Sequence, residues 1–571
     1  MATELLEFIK EPKIAYFSME IGVLNDIHTY SGGLGVLAGD TIRSSADLKL
    51  PMVAVTLLSK EGYFEQDIDP DGNQVERSAR WEPERFMTLL PQRVYLELEG
   101  REVAVQAWLY VEKSVTGGSV PIFFLDTDIK ENHEKDRTIT SWLYGGDEGY
   151  RLKQEAVLGV GGVRMLRELG FEIKKYHMNE GHASLLTLEL LREYRRDIEE
   201  VWDEDLVWDI NRVRDLCVFT THTPVEAGHD KFSYELVASV LGQPLPTHIL
   251  KKLGGADKLN MTLLGLNLSE YVNGVAKKHR DVSRTMFPGY EIYAVTNGVH
   301  TYTWTADSFK RLYDKYLPGW ANEPELFVRV GRIPDDEIWA AHMEAKRSLI
   351  DFVNSSTGAG LDCDTLTIGF ARRATAYKRA HLLFRDIERL ARIGAGKIQV
   401  IYAGKAHPKD TPGKSTIKYV FDCIKKLEGR IKVVYLKNYD MRMALHMVSG
   451  VDVWLNTPQR PREASGTSGM KAAHNGCLNF SVLDGWWIEG HIEGFTGWSI
   501  GPAPTETVLG EASDAQDAED LYYKLEKIII PTFYNDRHTW VRMMQNAIGK
   551  NAYYFNSHRM MRRYVTEAYI R

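Results

Sequence analysis

The amino-acid sequence predicts an α/β protein with two doubly wound, Rossmann-like domains, and two observations support this prediction. Short apolar runs bounded by Gly, Asn or Asp recur along the chain, and helical periodicity follows most of them. Three of these runs, at 366–372, 398–404 and 431–436, begin about 32 residues apart, which is the spacing of βαβ units. Because a similar series occupies the first half, we expect two such domains with a cleft between their strand ends.

Seven strands in the first half and two more in the second complete the predicted set of strands. The expected strands are 13–20, 52–58, 103–111, 121–126, 174–180, 216–221, 291–297, 366–372, 398–404, 431–436, 451–456 and 477–483. We place domain boundaries at 1–300 and 301–536, and we expect residues 537–571 to form a helical tail that crosses back to the N-terminal domain. The acidic stretch 511–520 is expected to be a solvated loop and helix start.

Composition and charge exclude several classes of protein. The chain has 571 residues, of which 44% are hydrophobic and 26% are charged, as in ordinary globular proteins. Its net charge is −8 and it contains no block of Lys or Arg, so we expect neither nucleic acid nor a membrane as partner. The four cysteines are too widely spaced for a zinc or disulfide framework. We therefore expect a cytoplasmic protein with reduced thiols and no metal.

A glycine-rich turn, SGGLG at 31–35, precedes a helical pattern. The backbone N–H groups of such a turn can approach an anion at the positive end of the helix. A tight turn with no ligand explains the same residues, so this motif alone leaves both interpretations open.

A basic cluster, Arg372, Arg373 and Lys378, closes one predicted strand and enters the first turn of the next predicted helix. Three cations are unfavourable at a helix N-terminus, which already carries partial positive charge. An anion held between them explains the cluster better than a solvated surface does. The sequence therefore predicts an anion site here.

A second dense stretch, REASGTSGMK at 462–471, follows the predicted strand 451–456. Hydroxyl and glycine residues before a helix can form a phosphate cradle. Lys471 inside this turn could be a charge partner, could form a Schiff base with an aldehyde cofactor, or could be a surface lysine on a capped helix. The chemistry of the residues does not choose among these.

Four histidines lie in or after predicted strands: His177, His182, His222 and His229. Their separations of five and seven residues differ from the i, i+4 spacing of helical zinc ligands. Polar contacts to a substrate are the preferred interpretation, although for His182 and His229 a buried, hydrogen-bonded role explains the sequence equally well.

Around EASGTSGMK (463–471) the sequence resembles the α-glucan phosphorylases, the glycogen, starch and maltodextrin phosphorylase family. Further motifs fall in the order of that family: YSGGLGVLAGD (30–40), NEGH (179–182), THTPVEAG (221–228), VNGVAKKH (272–279), VTNGVH (295–300), ARRATAYKR (371–379), YAGKAHP (402–408) and KNYD (437–440). The resemblance is to a short form without an N-terminal regulatory extension, so we expect allosteric control to be absent or reduced. One departure is Gly469, which stands where many members have Asn.

The resemblance implies a fold of the GT-B type, pyridoxal 5′-phosphate as cofactor, and reversible phosphorolysis. The reaction would release terminal α-1,4-linked glucose from a glucan or maltooligosaccharide with inorganic phosphate, giving α-glucose 1-phosphate with retention. A homodimer is a further family expectation. Two alternatives are a nucleotide-sugar-dependent glucan synthase of the same fold and a catalytically silent glucan-binding scaffold.

The resemblance also implies roles for individual residues. Lys471 corresponds to the lysine that holds the cofactor as a Schiff base. The other expected cofactor contacts are Thr467, Ser468, Arg372, Tyr439, Trp304 and Gly32. The expected contacts to substrate phosphate are Arg373, Lys378 and Gly33. The expected contacts to the sugar are His222, Asn297, Glu463, Ser465 and Gly466. Catalytic roles fall to Lys471, Arg373, Lys378 and His222. Trp486 and Trp487 are expected either to stack on a glucan ring or to pack internally.

Overall fold

The computed structural model describes residues 8–196, 204–502 and 514–570. Within these ranges the strands form a nine-stranded sheet, a six-stranded sheet and two small two-stranded sheets. In chain order the strands are β1 Lys13–Ser18, β2 Met52–Leu57, β3 Glu65–Ile68, β4 Gln74–Arg77, β5 Thr88–Leu98, β6 Arg101–Lys113, β7 Ser119–Asp126, β8 Ile173–Asn179, β9 Cys217–Thr220, β10 Lys231–Ser233, β11 Lys258–Asn260, β12 Tyr271–Gly274, β13 Tyr293–Ala294, β14 Leu366–Ala371, β15 Ile398–Ala403, β16 Lys432–Leu436, β17 Val453–Asn456, β18 Leu478–Val482 and β19 Gly497–Ile500.

Helices connect most of these strands. In chain order the α-helices are α1 Gly33–Asp47, α2 Glu134–Arg137, α3 Glu148–Ala156, α4 Gly162–Glu168, α5 Leu186–Glu193, α6 Ile210–Leu216, α7 Tyr234–Leu241, α8 Thr247–Gly254, α9 Met261–Asn267, α10 Lys277–Met286, α11 Thr301–Trp304, α12 Asp307–Tyr316, α13 Asp335–Thr357, α14 Ile387–Gly394, α15 Thr411–Leu427, α16 Met441–Gly450, α17 Ser468–His474, α18 Trp487–Gly490, α19 Asp514–Lys524, α20 Ile530–Asn535, α21 Arg537–Asn546 and α22 Ser557–Tyr564. Among the described helices, none has the length and apolar character needed to cross a membrane.

The six-stranded sheet is entirely parallel, with the order β16-β15-β14-β17-β18-β19. Its strands read as continuous apolar runs because helices cover both faces, as is usual for parallel sheets. The chain runs outward from β14 to one edge, then returns to β17 and runs to the other edge. The α/β class predicted from the sequence is confirmed.

The nine-stranded sheet is mixed, so the doubly wound βαβ pattern expected from the sequence, whose strands are parallel, does not extend to one edge. Its order is β13-β12-β9-β8-β1-β2-β7-β6-β5, and the strands are parallel from β13 to β7. At that edge β6 is antiparallel to β7, and β5 is antiparallel to β6. Glu99 and Gly100 join β5 to β6 with φ values of 52° and 70°, and a two-residue turn with two positive φ values makes a hairpin.

In each large sheet the order of the strands reverses at one point, and in folds of this kind ligands bind beside that point. In the nine-stranded sheet the point lies between β1 and β8, and in the six-stranded sheet it lies between β14 and β17. The β3–β4 hairpin of the first half reaches the second half: Gln66 Nε2 donates to the carbonyl of Gly404 and Gln74 Nε2 to that of Ala406. Both contacts lie beyond the carboxyl end of β15.

The C-terminal segment, residues 537–570, packs against both halves of the chain. Trp540 and Met544 belong to the core beside the six-stranded sheet, whereas Met560, Met561 and Tyr564 belong to a core of the nine-stranded sheet. The helical character predicted for this segment agrees with the structure. The proposed domain boundaries themselves stay a prediction.

Asp47, at the end of α1, anchors this segment. Its Oδ2 accepts hydrogen bonds of 2.7 Å from Nε2 of both His300 and His558. Burial acts to raise the pKa of Asp47, but the hydrogen bonds from the two histidines hold it well below its usual range. Nδ1 of His300 accepts from the backbone N–H of Thr303, so Nε2 carries the ring hydrogen. The geometry of this buried group is therefore that of a hydrogen-bonded cluster.

For the acidic stretch 511–520, the predicted helix start agrees with the structure, and the predicted exposure to solvent is wrong at Asp517. Residues 511–513 lie outside the described residues, and α19 begins at Asp514. Asp517 is fully buried and accepts from the guanidinium groups of Arg379 and Arg460 over 2.6 and 2.8 Å. A carboxylate paired with two arginines can be buried, and the acidic sequence alone did not indicate these partners.

Candidate active site

The basic cluster lies where β14 ends. Arg372 and Arg373 follow the strand directly, and Lys378 lies in a 3₁₀ turn, Ala376–Lys378, not in the α-helix that the sequence predicted. Arg379 ends this turn with a φ of 48°, so the chain bends before an α-helix can form. The bend keeps Lys378 close to the strand end.

Glu463 joins two of these cations. Lys378 Nζ lies 2.9 and 2.7 Å from the two carboxylate oxygens, and a guanidinium nitrogen of Arg372 donates to Oε2. Burial acts to raise the pKa of Glu463, but Arg372 and Lys378 outweigh it and lower that pKa to about 2. The carboxylate is therefore ionised at neutral pH and positions both cations.

Several buried polar atoms beside this group have no hydrogen-bond partner among the described residues. They are Arg372 Nη1, Thr375 Oγ1, Asn456 Oδ1 and Ser465 Oγ. Buried polar atoms are normally satisfied, so unsatisfied ones around a basic cluster indicate a place for a polar ligand. The predicted anion site thus has donors that the chain itself does not use.

Arg373 points to the glycine turn of the first half. One of its nitrogens lies 3.4 Å from Ser31 Oγ, and a Cβ on Gly32 would lie 3.3 Å from the same nitrogen. A Cβ on Gly33 would meet no described atom within 4 Å, so open space adjoins the start of α1. The turn and the basic cluster, far apart in sequence, therefore face each other.

Glu20 holds this turn and was not predicted from the sequence. Its carboxylate accepts the backbone N–H groups of Ser31 over 2.5 Å and Gly32 over 3.2 Å, and the hydroxyl of Tyr144 over 2.9 Å. Two of the N–H groups that we expected to face an anion are thus bound to Glu20. The N–H of Gly33 lies next in the turn, at the first residue of α1.

Lys471 lies in the first helical turns of α17 and is 7% exposed. Its Nζ is 3.7 Å from the centroid of the Trp304 ring. Burial lowers the pKa of Lys471 to about 8, although the Asp40 carboxylate acts in the opposite direction. The surface-lysine interpretation of this residue is therefore wrong.

The cradle before α17 is shaped by glycine. Gly466 has a φ of 85°, a conformation that favours glycine, and Thr467 then leads into the helix. The hydroxyl oxygen of Ser468 accepts from Trp454 Nε1 over 3.1 Å. Tyr439, another expected cofactor contact, is buried: burial raises its pKa, and the Arg372 cation acts to lower it.

The histidine predicted at the sugar site, His222, follows β9. Its Nε2 lies 2.6 Å from Asn179 Oδ1, and its backbone N–H donates to the Glu180 carboxylate over 2.8 Å. Glu180 has a φ of 75°, a strained value for a residue other than glycine, and such strain is concentrated at functional sites. Asn297 is 3% exposed, and its Oδ1 has no partner among the described residues.

Comparison with known proteins places the chain in a family. A family model described as carbohydrate phosphorylase matches residues 246–493. The maltodextrin phosphorylase of Thermococcus litoralis is 40% identical over 598 residues, covering 98% of this chain and 70% of that protein. The glycogen phosphorylase of Aquifex aeolicus is 36% identical, covering 98% of this chain and 86% of that protein. The chain belongs to the carbohydrate phosphorylase family. A third relative, the glycogen phosphorylase of Mycobacterium tuberculosis, is 37% identical and covers 97% of this chain and 70% of its own length.

The structure explains one departure of this phosphorylase from the family pattern. A Cβ on Gly469 would lie 2.3 Å from Asn479 Oδ1 and 2.8 Å from the Trp486 ring. An asparagine at this position would therefore require both neighbours to move. Gly469 and Trp486 are packed as a matched pair.

The two tryptophans of this phosphorylase pack internally. Trp486 and Trp487 are 2% and 0% exposed, and their ring centroids are 5.1 Å apart. Trp486 also contacts Phe555 edge to face. Of the two interpretations drawn from the sequence, packing is the one that agrees with the structure.

Proposed function

We propose that this chain catalyses the reversible phosphorolysis of terminal α-1,4-linked glucose from a glucan or maltooligosaccharide. Inorganic phosphate is the acceptor, and the product is α-glucose 1-phosphate with retained configuration. Three of the relatives bear the names maltodextrin phosphorylase or glycogen phosphorylase. The observation that carries the proposal is the approach of Arg373, from the end of β14, to the Gly32–Gly33 turn of α1.

We further propose a GT-B arrangement, with an N-terminal domain at 1–300, a C-terminal domain at 301–536 and a tail at 537–571. The two points at which the strand order reverses, β1/β8 and β14/β17, support it, because Gly32 and Gly33 follow β1, the basic cluster follows β14, and Lys471 follows β17. The packing of Met560, Met561 and Tyr564 in a core of the nine-stranded sheet supports the proposed return of the tail to the first domain.

The proposed cofactor is pyridoxal 5′-phosphate, held by Lys471. The residues present fit this group: the amine of Lys471 is buried with a pKa lowered to about 8, and Arg372 Nη1 in the basic cluster has no partner among the described residues. Thr467, Ser468, Tyr439, Trp304 and Gly32 are the other proposed contacts. When bound, the cofactor supplies a phosphate group that can share a proton with the substrate phosphate.

The residues of the chain itself bind and orient the reactants. Arg373, Lys378 and the Gly33 backbone bind the substrate phosphate and stabilise the negative charge that accumulates on it. The substrate phosphate donates its proton to the glycosidic oxygen as the C1–O bond breaks, and then forms a new bond to C1 from the same face. Glu463 is ion-paired with Lys378 and Arg372, so it orients these two cations and has no role as a general acid. We also assign it a contact to a sugar hydroxyl.

The sugar is held by neutral polar groups. Burial lowers the pKa of His222 to about 3, with further lowering by His279, His177 and His182, so the ring is neutral at pH 7. We assign His222, Asn297, Ser465 and Gly466 to the sugar, together with Glu463. No pair of catalytic carboxylates is required, unlike in most glycosidases. Exclusion of water from the cleft would protect the sugar cation from hydrolysis.

The test is the release of glucose 1-phosphate from a linear maltooligosaccharide, with and without inorganic phosphate. Phosphate-dependent product is expected. If the protein retains pyridoxal phosphate but forms no product, a silent glucan-binding scaffold is the better assignment. If it retains no pyridoxal phosphate and forms no product, the nucleotide-sugar glucan synthase is favoured, because that reaction has no use for Lys471.

A further inference from the structure

A chain of hydrogen bonds connects His222 to the neighbouring strands β8 and β1. Ser18 Oγ donates to the backbone carbonyl of Glu20 over 2.8 Å. Asn179 Nδ2 donates to Ser18 Oγ over 3.1 Å, and Asn179 Oδ1 lies 2.6 Å from Nε2 of His222. Ser18 and Asn179 are register partners, and they are 0% and 2% exposed.

The directions of these bonds fix the hydrogen on the histidine ring. The single hydroxyl hydrogen of Ser18 points at the Glu20 carbonyl, so the Ser18 oxygen can only accept from Asn179. The Asn179 amide must therefore present its NH₂ group to Ser18 and its oxygen to His222. Because a carbonyl oxygen only accepts, Nε2 of His222 carries the hydrogen and Nδ1 carries a lone pair.

Nδ1 of His222 has no hydrogen-bond partner among the described residues. The Glu180 carboxylate is engaged with the backbone N–H of His222 and the hydroxyl of Thr223, both over 2.8 Å. An unprotonated ring nitrogen attracts a hydroxyl hydrogen, and it repels a carbonyl or fluorine at the same place. The free lone pair can therefore recognise a hydroxyl group.

We infer that Asn179 is a positioning residue that makes the sugar site selective for a hydroxyl group, by holding His222 in the tautomer whose Nδ1 accepts a hydrogen. Ser18 fixes the orientation of the Asn179 amide. The inference rests on the proposed function, which puts a glucosyl unit at His222. A hexosyl donor that lacks the hydroxyl facing Nδ1 should be rejected, because the nitrogen then stays unpaired.

The tautomer can be read without any activity. The full chain is labelled with ¹⁵N-histidine, and His222→Gln identifies the two ring signals by their disappearance. We expect the Nε2 signal of a protonated nitrogen and the Nδ1 signal of an unprotonated one at pH 7. The opposite pair of signals, or an equal mixture of tautomers, overturns the inference whatever the enzyme catalyses.

Selectivity is measured in the direction of glucan synthesis. The donors are glucose 1-phosphate and its 2-, 3-, 4- and 6-deoxy analogues, with a maltooligosaccharide acceptor. One analogue should show a kcat/KM lower by roughly 10²–10⁴-fold. In Ser18→Ala the amide is free to turn, so we expect kcat/KM for glucose 1-phosphate to fall about 10-fold and the discrimination against that analogue to shrink with it.

Ser45→Ala is the matched control, because Ser45 is a buried serine that donates to the Thr41 carbonyl and takes no part in the chain of hydrogen bonds to His222. It should keep the wild-type discrimination. Full discrimination in Ser18→Ala, or an equal loss for every donor, contradicts the inference. If the wild-type chain forms no glucan from glucose 1-phosphate, the proposed function fails instead, and the NMR result still decides the tautomer.

The pH profile of Asn179→Asp distinguishes the proposed role from a purely structural one, which would leave the profile unchanged. A carboxylate beside Nε2 stabilises the charged ring, whose Nδ1 then donates. The groups around the ring are Glu180, His177, His182 and His279, and the wild-type ring is neutral well below pH 7. We therefore expect kcat/KM of Asn179→Asp to fall on the acid side of pH 7 while the wild type stays level. Identical pH profiles would contradict the proposed role.

Discussion

Lys471 and Trp304 form a cation–π pair, with Nζ 3.7 Å from the centroid of the indole ring. The same indole donates its N–H to both oxygens of Asp40, over 3.0 and 2.9 Å. Asp40 lies on α1, whose first residue belongs to the glycine turn. The helix that presents the predicted phosphate-binding turn therefore also supports the ring that covers the lysine.

Replacing Lys471 should abolish both cofactor retention and activity. In Lys471→Ala the buried amine is lost, so we expect no pyridoxal absorbance after gel filtration and no release of glucose 1-phosphate. The fold should persist, because the remaining α17 residues are apolar or hydrogen-bonded. Absorbance spectra, activity and far-UV circular dichroism check these expectations. Full activity of the variant without added pyridoxal phosphate would falsify the cofactor assignment.

A second buried lysine provides the control for Lys471→Ala. Burial lowers the pKa of Lys405 to about 8 as well, but its Nζ donates to the Phe64 carbonyl over 3.0 Å, outside the cradle. Lys405→Met should keep the pyridoxal absorbance. Equal loss in both variants would show that burial of a lysine, and not its place in the cradle, explains the effect.

Replacing Arg373 should mainly weaken the use of phosphate. The side chain lies beside Ser31 and Gly32 and makes no ion pair within the described residues, so its charge is available to a ligand. In Arg373→Ala we expect the KM for inorganic phosphate to rise by roughly 10²-fold, with a smaller change in glucan KM. Initial rates over a matrix of both substrates provide the measurement.

Arg389→Ala is the control for Arg373→Ala, because Arg389 forms an ion pair with the exposed Glu519 on the outside of the second half. Its phosphate KM should match the wild type. An unchanged phosphate dependence in Arg373→Ala would mean that the anion site lies elsewhere.

The sequence predicted most strands and the basic cluster, because both depend on local patterns. It did not predict β5, an edge strand that contains Pro91 and a register shift between Leu89 and Arg93. Proline interrupts the period-2 pattern, yet an edge strand tolerates it. Of the missed site residues, Glu20 accepts from a turn that follows it closely in the chain, and Asn179 bonds across β8 and β1, which are adjacent only in the folded sheet. Their partners, Ser31 and Ser18, lie 11 and 161 residues away.

Asp47 should be a major contributor to stability. One of its oxygens accepts from two buried histidines, so Asp47→Asn replaces their charged acceptor by a neutral amide oxygen, and we expect a loss of about 3 kcal/mol in the free energy of unfolding. The pKa of Asp47 is depressed in the folded state, so the stabilisation is present above the unfolded pKa of about 4 and is lost as pH falls further. Urea unfolding at pH 7 measures the first effect, and a series from pH 5 down to pH 3 measures the second.

Asp307→Asn serves as the reference for Asp47→Asn. Asp307 is exposed and pairs with Lys310 over 3.3 Å, so its loss should cost less than about 0.5 kcal/mol. A similar cost for both variants would contradict the proposed anchoring of the C-terminal segment through Asp47.

Asp484 should give the stability of this chain an unusual pH dependence. The carboxyl group is 3% exposed and accepts from the backbone N–H groups of Glu463 and Gly485, both over 2.9 Å. Burial raises its pKa to about 7, and the negative charge of Glu463 adds to the rise. Between the unfolded pKa of about 4 and pH 7 the folded chain therefore binds more protons at this residue than the unfolded chain does. Its contribution to stability is complete below pH 4 and falls by up to about 1.4 kcal/mol per pH unit as pH rises to 7.

Asp484→Asn cannot ionise, so the difference between the wild-type and variant urea midpoints should change steadily from pH 5 to pH 7.5, in favour of the variant at the higher pH. A constant difference over that range would show that Asp484 stays ionised in the folded chain.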